Sequence, residues 1–120
     1  MMRNEETSEL NKNLLSYENL EKQLEVLLIQ KHQLQLQFNE IKHALEELKK
    51  TKGAVYRSIG SIMVSSSREE AEKDLNERVE LVQVKLNAVS KQEERLRGNV
   101  AEAQKKLQEK MKQYEKSAKT

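Results

Sequence analysis

Apolar residues recur at heptad spacing through the first half of the chain. One frame runs unbroken from Leu10 to Leu48, and ten of its twelve seam positions are apolar. This repeat predicts a coiled-coil helix at residues 10–50, after a tail at residues 1–9. The two seam rows are Leu10, Tyr17, Leu24, Lys31, Phe38 and Leu45, and Asn13, Leu20, Leu27, Leu34, Ile41 and Leu48.

A second heptad pattern fills the other half and predicts a helix at residues 67–117. Its rows are Val79, Leu86, Glu93, Val100, Leu107 and Tyr114, and Leu75, Val82, Val89, Leu96, Ala103 and Lys110. Two helices of similar length with a short connection favour an antiparallel pair. The polar seam residues then align, Lys31 with Glu93 and Asn13 with Lys110, although registers one heptad apart stay open.

The segment between the helices, residues 54–66, is rich in β-branched residues and predicts a hairpin. Gly60-Ser61 suits a type II′ turn, which pairs Ile59 with Ile62. The apolar residues then occupy both faces: Val55, Ile59, Ile62 and Val64 on one, Tyr56 and Met63 on the other. Unpaired strand edges recruit further strands, so we expect hairpins of several subunits to close into an oligomeric β-barrel.

Local signals mark the helix ends beside the hairpin. Gly53 follows a lysine-rich end of the first helix and is suited to a left-handed cap. Ser67 is followed three residues later by Glu70, and we expect the Ser67 hydroxyl to accept a hydrogen bond from the Glu70 amide. The fold class is therefore mainly α, a long antiparallel two-helix coiled coil with a β-hairpin at the connecting end.

Composition narrows the function. The 120 residues are 36% apolar, 3% aromatic and 35% charged, with no cysteine and a formal net charge of +2. Such a composition is typical of one domain of long exposed helices. Without cysteine, the chain has no disulfide, thiolate metal site or thiol nucleophile. Its small net charge gives little long-range electrostatic attraction for nucleic acid. The chain has no long apolar run that predicts a membrane span, so we expect a cytoplasmic protein. Because no nucleophile with a base and no carboxylate pair converges in the sequence, we also expect that it is not an enzyme.

Candidate sites are few. His32 and His43 lie outside the seam and too far apart to share an ion, so we predict no metal, cofactor or catalytic site. The terminal lysines suit a nucleic-acid arm or simple compensation of the helix dipole. Apolar residues at the open end form a candidate client-binding surface, unless they only close the seam: Met1, Met2, Leu10, Leu14, Leu15, Met111 and Tyr114.

The hairpin carries the most specific motif. The run Val55-Tyr56-Arg57-Ser58-Ile59-Gly60-Ser61-Ile62-Met63-Val64, followed by Glu69-Glu70 and later by Gln92-Glu93-Glu94-Arg95-Leu96, resembles prefoldin, most closely the archaeal β-type subunit. The resemblance implies a hexamer of two α-type and four β-type subunits built on a double β-barrel. It also implies an ATP-independent chaperone that captures unfolded proteins at its coiled-coil tips and passes them to a group II chaperonin.

By the same resemblance, the hairpin residues would serve subunit assembly: Val55, Tyr56, Ile59, Gly60, Ile62, Met63 and Val64. Two other functions stay open at this point. One is a nucleic-acid-binding arm, like the helical hairpin of seryl-tRNA synthetase, which predicts salt-dependent RNA binding. The other is a structural scaffold without clients, and assembly from copies of this chain alone is open as well.

Overall fold

The computed structural model describes residues 4–119 and contains two long helices with a β-hairpin between them. Helix α1 spans Asn4–Lys50, strands β1 and β2 span Val55–Ile59 and Ile62–Ser66, and helix α2 spans Arg68–Lys119. The strands form a two-stranded antiparallel sheet. The predicted order of helix, hairpin and helix is confirmed.

The first helix begins earlier than the heptads indicate. Residues 4–9, predicted as part of a tail, belong to α1. They contain Glu5 and Glu6 in the first turn, where carboxylates interact favourably with the helix dipole. The helix therefore extends toward the N-terminus beyond its first apolar seam residue, Leu10.

The predicted seam is the less exposed side of both helices. All twelve seam residues of α1 and eleven of the twelve in α2 are buried or half-buried. The exception is Tyr114, whose side chain is 41% exposed. Within residues 4–119 the buried apolar residues are Leu27, Ala71 and Val82, which is a small core for a chain of this length.

The described chain packs as two compact units. The terminal unit combines the chain up to Gln30 with the chain from Val89 onward, and the hairpin unit is Lys31–Ala88. In the terminal unit, Leu27 of α1 and Leu96 of α2 line one groove. In the hairpin unit, Leu48 of α1 and Leu75 of α2 do the same. Each unit thus contains a pair of helix segments packed side by side, and the hairpin unit adds the two strands.

Side chains cap the helix ends that flank the hairpin. The Thr51 amide and hydroxyl both donate to the Glu47 carbonyl oxygen, at 3.0 and 2.8 Å. The expectation that Gly53 takes a left-handed conformation is wrong, because Gly60 is the one described residue with a positive φ. At the start of α2, the Glu70 amide donates to the Ser67 hydroxyl oxygen at 3.1 Å, as predicted.

The hairpin has the predicted register. Ile59 pairs with Ile62 and Arg57 with Val64. Gly60 has a φ of +59°, and no described residue other than glycine has a positive φ. Since a type I′ turn needs positive φ at both central residues, the turn is of the predicted type II′.

Candidate assembly and client-binding surfaces

The hairpin exposes apolar side chains on both of its faces. Cross-strand partners share a face, so Ile59, Ile62 and Val64 lie together on one side, and Tyr56 and Met63 lie on the other. All five are exposed, Ile62 by 64% and Met63 by 65%. Burying one such side chain fully is worth about 1.5–3 kcal/mol. A second surface packed against each face would therefore stabilise the hairpin strongly.

The base of one hairpin face is already covered. Val55, Arg57 and Ser66 are half-buried, whereas the residues nearer the turn on the same face are exposed. This base borders a groove of about 400 Å³ whose walls come from the hairpin and from both helices of the hairpin unit. The packing fixes the root of the hairpin and leaves its outer part exposed.

The strand edges are also available. Within residues 4–119 the sheet has two strands, so each strand has one edge without a strand partner. Such edges present unpaired N–H and C=O groups and are templates for strand addition. The edges and the two apolar faces together make up the surface that the sequence analysis predicts to serve assembly.

The helix ends of the terminal unit carry the predicted client-binding residues. Leu14, Leu15, Met111 and Tyr114 are exposed, Leu15 by 59%, and Leu10 is half-buried in the seam. Met1 and Met2 lie outside the described residues. The exposure of Tyr114 places it at the surface, although the heptad pattern assigns it to the seam.

An ion pair joins the two helices in this region. Lys110 Nζ donates to Glu9 Oε2 at 2.9 Å, and both side chains keep contact with solvent. The hydrogen bond from Lys110 and its charge hold the pKa of the Glu9 carboxyl below its ordinary value of 4.5. The seam lysine is thus satisfied by a carboxylate from the facing helix rather than by its predicted neighbour Asn13.

Comparison with known proteins decides the family. Residues 11–114 match the family model described as prefoldin subunit. This chain belongs to the prefoldin family. Prefoldin subunit beta of Pyrococcus furiosus is 34% identical over 93 residues, which cover 76% of this chain and 80% of that protein. Prefoldin subunit beta of Methanosarcina acetivorans is 31% identical over 110 residues, covering 90% and 94%.

Solved prefoldin structures share the fold. The prefoldin beta subunit from Thermococcus strain KS-1 superposes with a TM-score of 0.78 at 29% identity, covering 84% of this chain and 90% of that one. The prefoldin beta2 subunit from the same strain gives a TM-score of 0.69 at 15% identity, over 74% and 97%, and supports the fold alone. The resemblance to prefoldin β subunits is confirmed.

Membership of the prefoldin family gives the general role. Prefoldin is a chaperone family rather than an enzyme family, and its β subunits form hetero-oligomers with other prefoldin subunits. Among residues 4–119 no group of three or more His, Asp or Glu side chains is placed to hold a metal ion. No helix in that range is long and apolar enough to cross a membrane.

Two exposed apolar residues of α2 in this prefoldin chain were not among the predicted contacts. Leu81 and Val84 of α2 are 56% and 64% exposed. Their signal in the sequence is an apolar residue at a heptad position outside the seam. Isolated exposed leucines and valines are common on protein surfaces, so the pattern alone gives no reason to select them.

Proposed function

We propose that this chain is a β-type subunit of a hexameric, ATP-independent prefoldin, which captures non-native proteins and passes them to a group II chaperonin. Its partners are α-type subunits and further β-type copies, in the cytoplasm. The observation that carries the proposal is the hairpin, which exposes apolar residues on both faces and has two unpaired edges. Strand addition from neighbouring subunits satisfies both needs, and closure into a barrel leaves no edge.

Client capture is assigned to the helix ends of the terminal unit. Leu14, Leu15, Met111 and Tyr114 place exposed apolar side chains there, and Leu10 lies beside them along α1. Met111 has a flexible, polarisable side chain that adapts to different surfaces. One such end gives weak binding, but several ends on one assembly hold a client through avidity.

The assembly is tested by sedimentation velocity of the chain alone and mixed with an α-type prefoldin subunit. We expect a species with the mass of six chains in the mixture. A monomer that stays folded in the presence of all cognate subunits would contradict the proposal. The same samples test the nucleic-acid arm, because that function requires RNA binding that weakens steeply with salt.

Client capture is tested with a triple variant of the complex, Leu14→Ser, Leu15→Ser and Met111→Ser. We expect it to suppress the aggregation of a denatured protein several-fold less well than the wild type, measured by light scattering. The matched control is Leu36→Ser, Leu81→Ser and Val84→Ser, which removes three exposed apolar residues of the hairpin unit. Equal losses in the two variants would remove the helix ends as the client site.

A further inference from the structure

One side of α1 in the terminal unit combines apolar and acidic residues at helical spacing. At about 100° per residue these side chains fall within about 100° of the helix circumference, and they extend over about 22 Å. We call this set the acidic strip. Its members are Leu14, Glu18, Glu21, Glu25, Leu28 and Ile29.

The acidic strip has an apolar floor. A shallow groove along the helix is lined by Leu24 and Leu28, with the carboxylates Glu18, Glu21 and Glu25 and one ammonium group, Lys22, around them. Leu28 lies outside the seam, and yet it is half-buried rather than exposed. Leu14 and Ile29 extend the apolar surface at the two ends and are both exposed.

Two carboxylates of the strip are not engaged in ion pairs within the described chain, so they are able to bind a basic side chain of another protein. Within residues 4–119, Glu18 and Glu25 form no ion pair. Glu21 accepts a hydrogen bond from the Tyr17 hydroxyl; burial of Tyr17 and the nearby Glu21 charge raise the pKa of Tyr17.

Two acids of α2 form ion pairs within their own helix. Glu93 pairs with Arg97 at 2.8 Å and Asp74 with Arg78 at 3.1 Å. In both pairs the arginine lies four residues after the acid on the same helix, the spacing that brings helical side chains together. In the strip, Lys22 lies four residues after Glu18 and three before Glu25, but within residues 4–119 neither acid forms an ion pair with it.

We propose that the acidic strip binds segments of non-native proteins in which lysine or arginine residues lie between apolar residues. The inference deepens the proposed function, on which it rests, by naming a class of client. Carboxylates at the centre attract the basic residues, and Leu14, Leu28 and Ile29 receive the apolar ones. A length of about 22 Å accommodates about fifteen helical residues or seven extended ones.

The charge adds selectivity rather than most of the affinity. Exposed ion pairs are individually weak, so the apolar contacts and avidity hold the client while the carboxylates discriminate between clients. Complementary charge also speeds encounter and disfavours like-charged partners. We therefore expect basic amphipathic segments to be preferred over acidic ones of equal apolar content.

The test uses the assembled complex carrying Glu18→Gln, Glu21→Gln and Glu25→Gln. Glutamine is as good a helix former as glutamate, so the helix is preserved. The probes are two labelled 15-residue peptides with leucines near both ends and either three lysines or three glutamates between them. Fluorescence anisotropy should show about tenfold weaker binding of the lysine peptide, or about 1.4 kcal/mol, and no weakening of the glutamate peptide.

The matched control is Glu72→Gln, Glu77→Gln and Glu80→Gln, which makes the same change in charge at exposed positions of α2. It should bind the lysine peptide within twofold of the wild type. Equal affinity of the two variants for this peptide overturns the inference. So does a changed sedimentation coefficient of the strip variant, which would show that the strip contacts another subunit.

Failure of this inference is distinguishable from failure of the proposed function. Suppression of aggregation by the wild-type complex, measured with denatured proteins of acidic, near-zero and basic net charge, tests the chaperone function independently of the strip. If that activity is present and the lysine peptide binds both variants equally, the strip has no role and the chaperone proposal stands. If the wild-type complex suppresses no aggregation, the proposed function itself fails.

Discussion

The hairpin and the helix ends of the terminal unit expose apolar side chains to a similar degree, but their backbones differ. Ile62 in the hairpin is 64% exposed and Leu15 in α1 is 59% exposed. The strand that carries Ile62 has an edge without a strand partner, whereas Leu15 lies within a helix whose backbone hydrogen bonds are internal.

This difference separates two kinds of contact. A partner of the hairpin must supply a strand in register as well as apolar surface, so it must be a specific chain. A partner of the helix ends needs to supply apolar surface alone, and the helix is complete without it. Equal exposure is therefore compatible with permanent assembly at one region and with brief, varied contacts at the other.

Introducing two lysines into the hairpin or, separately, into the helix ends tests this comparison and should give the largest effect. Ile59→Lys with Ile62→Lys places two ammonium groups on directly opposed residues of the hairpin, where like charges repel. Leu14→Lys with Leu15→Lys places them on α1. We expect the first variant to lose hexamer formation at micromolar concentration and the second to keep it, measured by sedimentation velocity.

Equal assembly of both variants would show that the hairpin faces are not buried between subunits. Loss of assembly in both would show that the helix ends also hold subunits together. Either result removes the distinction between a permanent and a transient surface. Circular dichroism of each variant checks that the helices are intact before the masses are compared.

A second test compares glycines in the two kinds of backbone. Gly60→Ala forces an L residue to a φ of +59°, which costs about 1–2 kcal/mol, and its Cβ meets no atom within 4 Å. Gly98→Ala lies inside α2, also with free space around the Cβ, and should stabilise by about 0.8–1 kcal/mol. Urea denaturation should show free energies of unfolding that change in opposite directions.

The matched free space makes this pair informative. Since neither Cβ creates a clash, any difference between the variants comes from backbone conformation. Destabilisation by both substitutions would mean that the helix at Gly98 needs the flexibility of glycine. No effect at Gly60 would mean that the turn contributes little to the folded state.

The seam of the coiled coil is predictable because one physical rule sets it. Residues at heptad spacing share one side of a helix, and the other helix covers that side. The rule stops where the apolar residues stop, which is why residues 4–9 appeared to be a tail. Their helix depends on local terms, such as Glu5 and Glu6 near the N-terminus, that leave no periodic signal.

The candidate surfaces are predictable in part. Gly60 and the alternating pattern around it determine the turn and the two faces of the hairpin. The heptad pattern assigns Tyr114 to the seam, but its side chain is 41% exposed. Heptad spacing gives the side of the helix on which a residue lies, and it does not say whether the facing helix covers that side near the helix end. The sequence predicts that Gly53 caps α1, but the Thr51 amide and hydroxyl donate to the Glu47 carbonyl oxygen at this helix end. A local sequence pattern does not rank such alternatives.

The start of α2 gives a third, smaller test of how firmly the hairpin is anchored. Ser67→Ala removes the acceptor of the Glu70 amide and should lower the free energy of unfolding by about 1 kcal/mol. Ser65→Ala, on the exposed part of β2, is the control and should change it by less than half as much. Equal losses would show that the effect comes from the strand rather than from the cap.

The smallest expected effect concerns the ion pair of Glu9 and Lys110 in the terminal unit. The pKa of Glu9 is held below 4.5 in the folded chain, first by the hydrogen bond from Lys110 and then by its charge. A carboxyl pKa that is lower in the folded than in the unfolded chain means that the folded state favours the ionised carboxylate, which therefore stabilises the fold. Its contribution is therefore complete above the ordinary value and is lost as the pH falls through the lowered one.

An NMR titration of the Glu9 carboxyl should show a midpoint below 4.5 in the wild type and one closer to 4.5 in Lys110→Gln. The difference in unfolding free energy between wild type and Glu9→Gln should be small at pH 7 and should vanish in acid. A difference that persists below the lowered pKa would contradict the ion pair as its cause. A solvent-exposed ion pair of this kind contributes little free energy, so it is compatible with the client binding that we propose for this end.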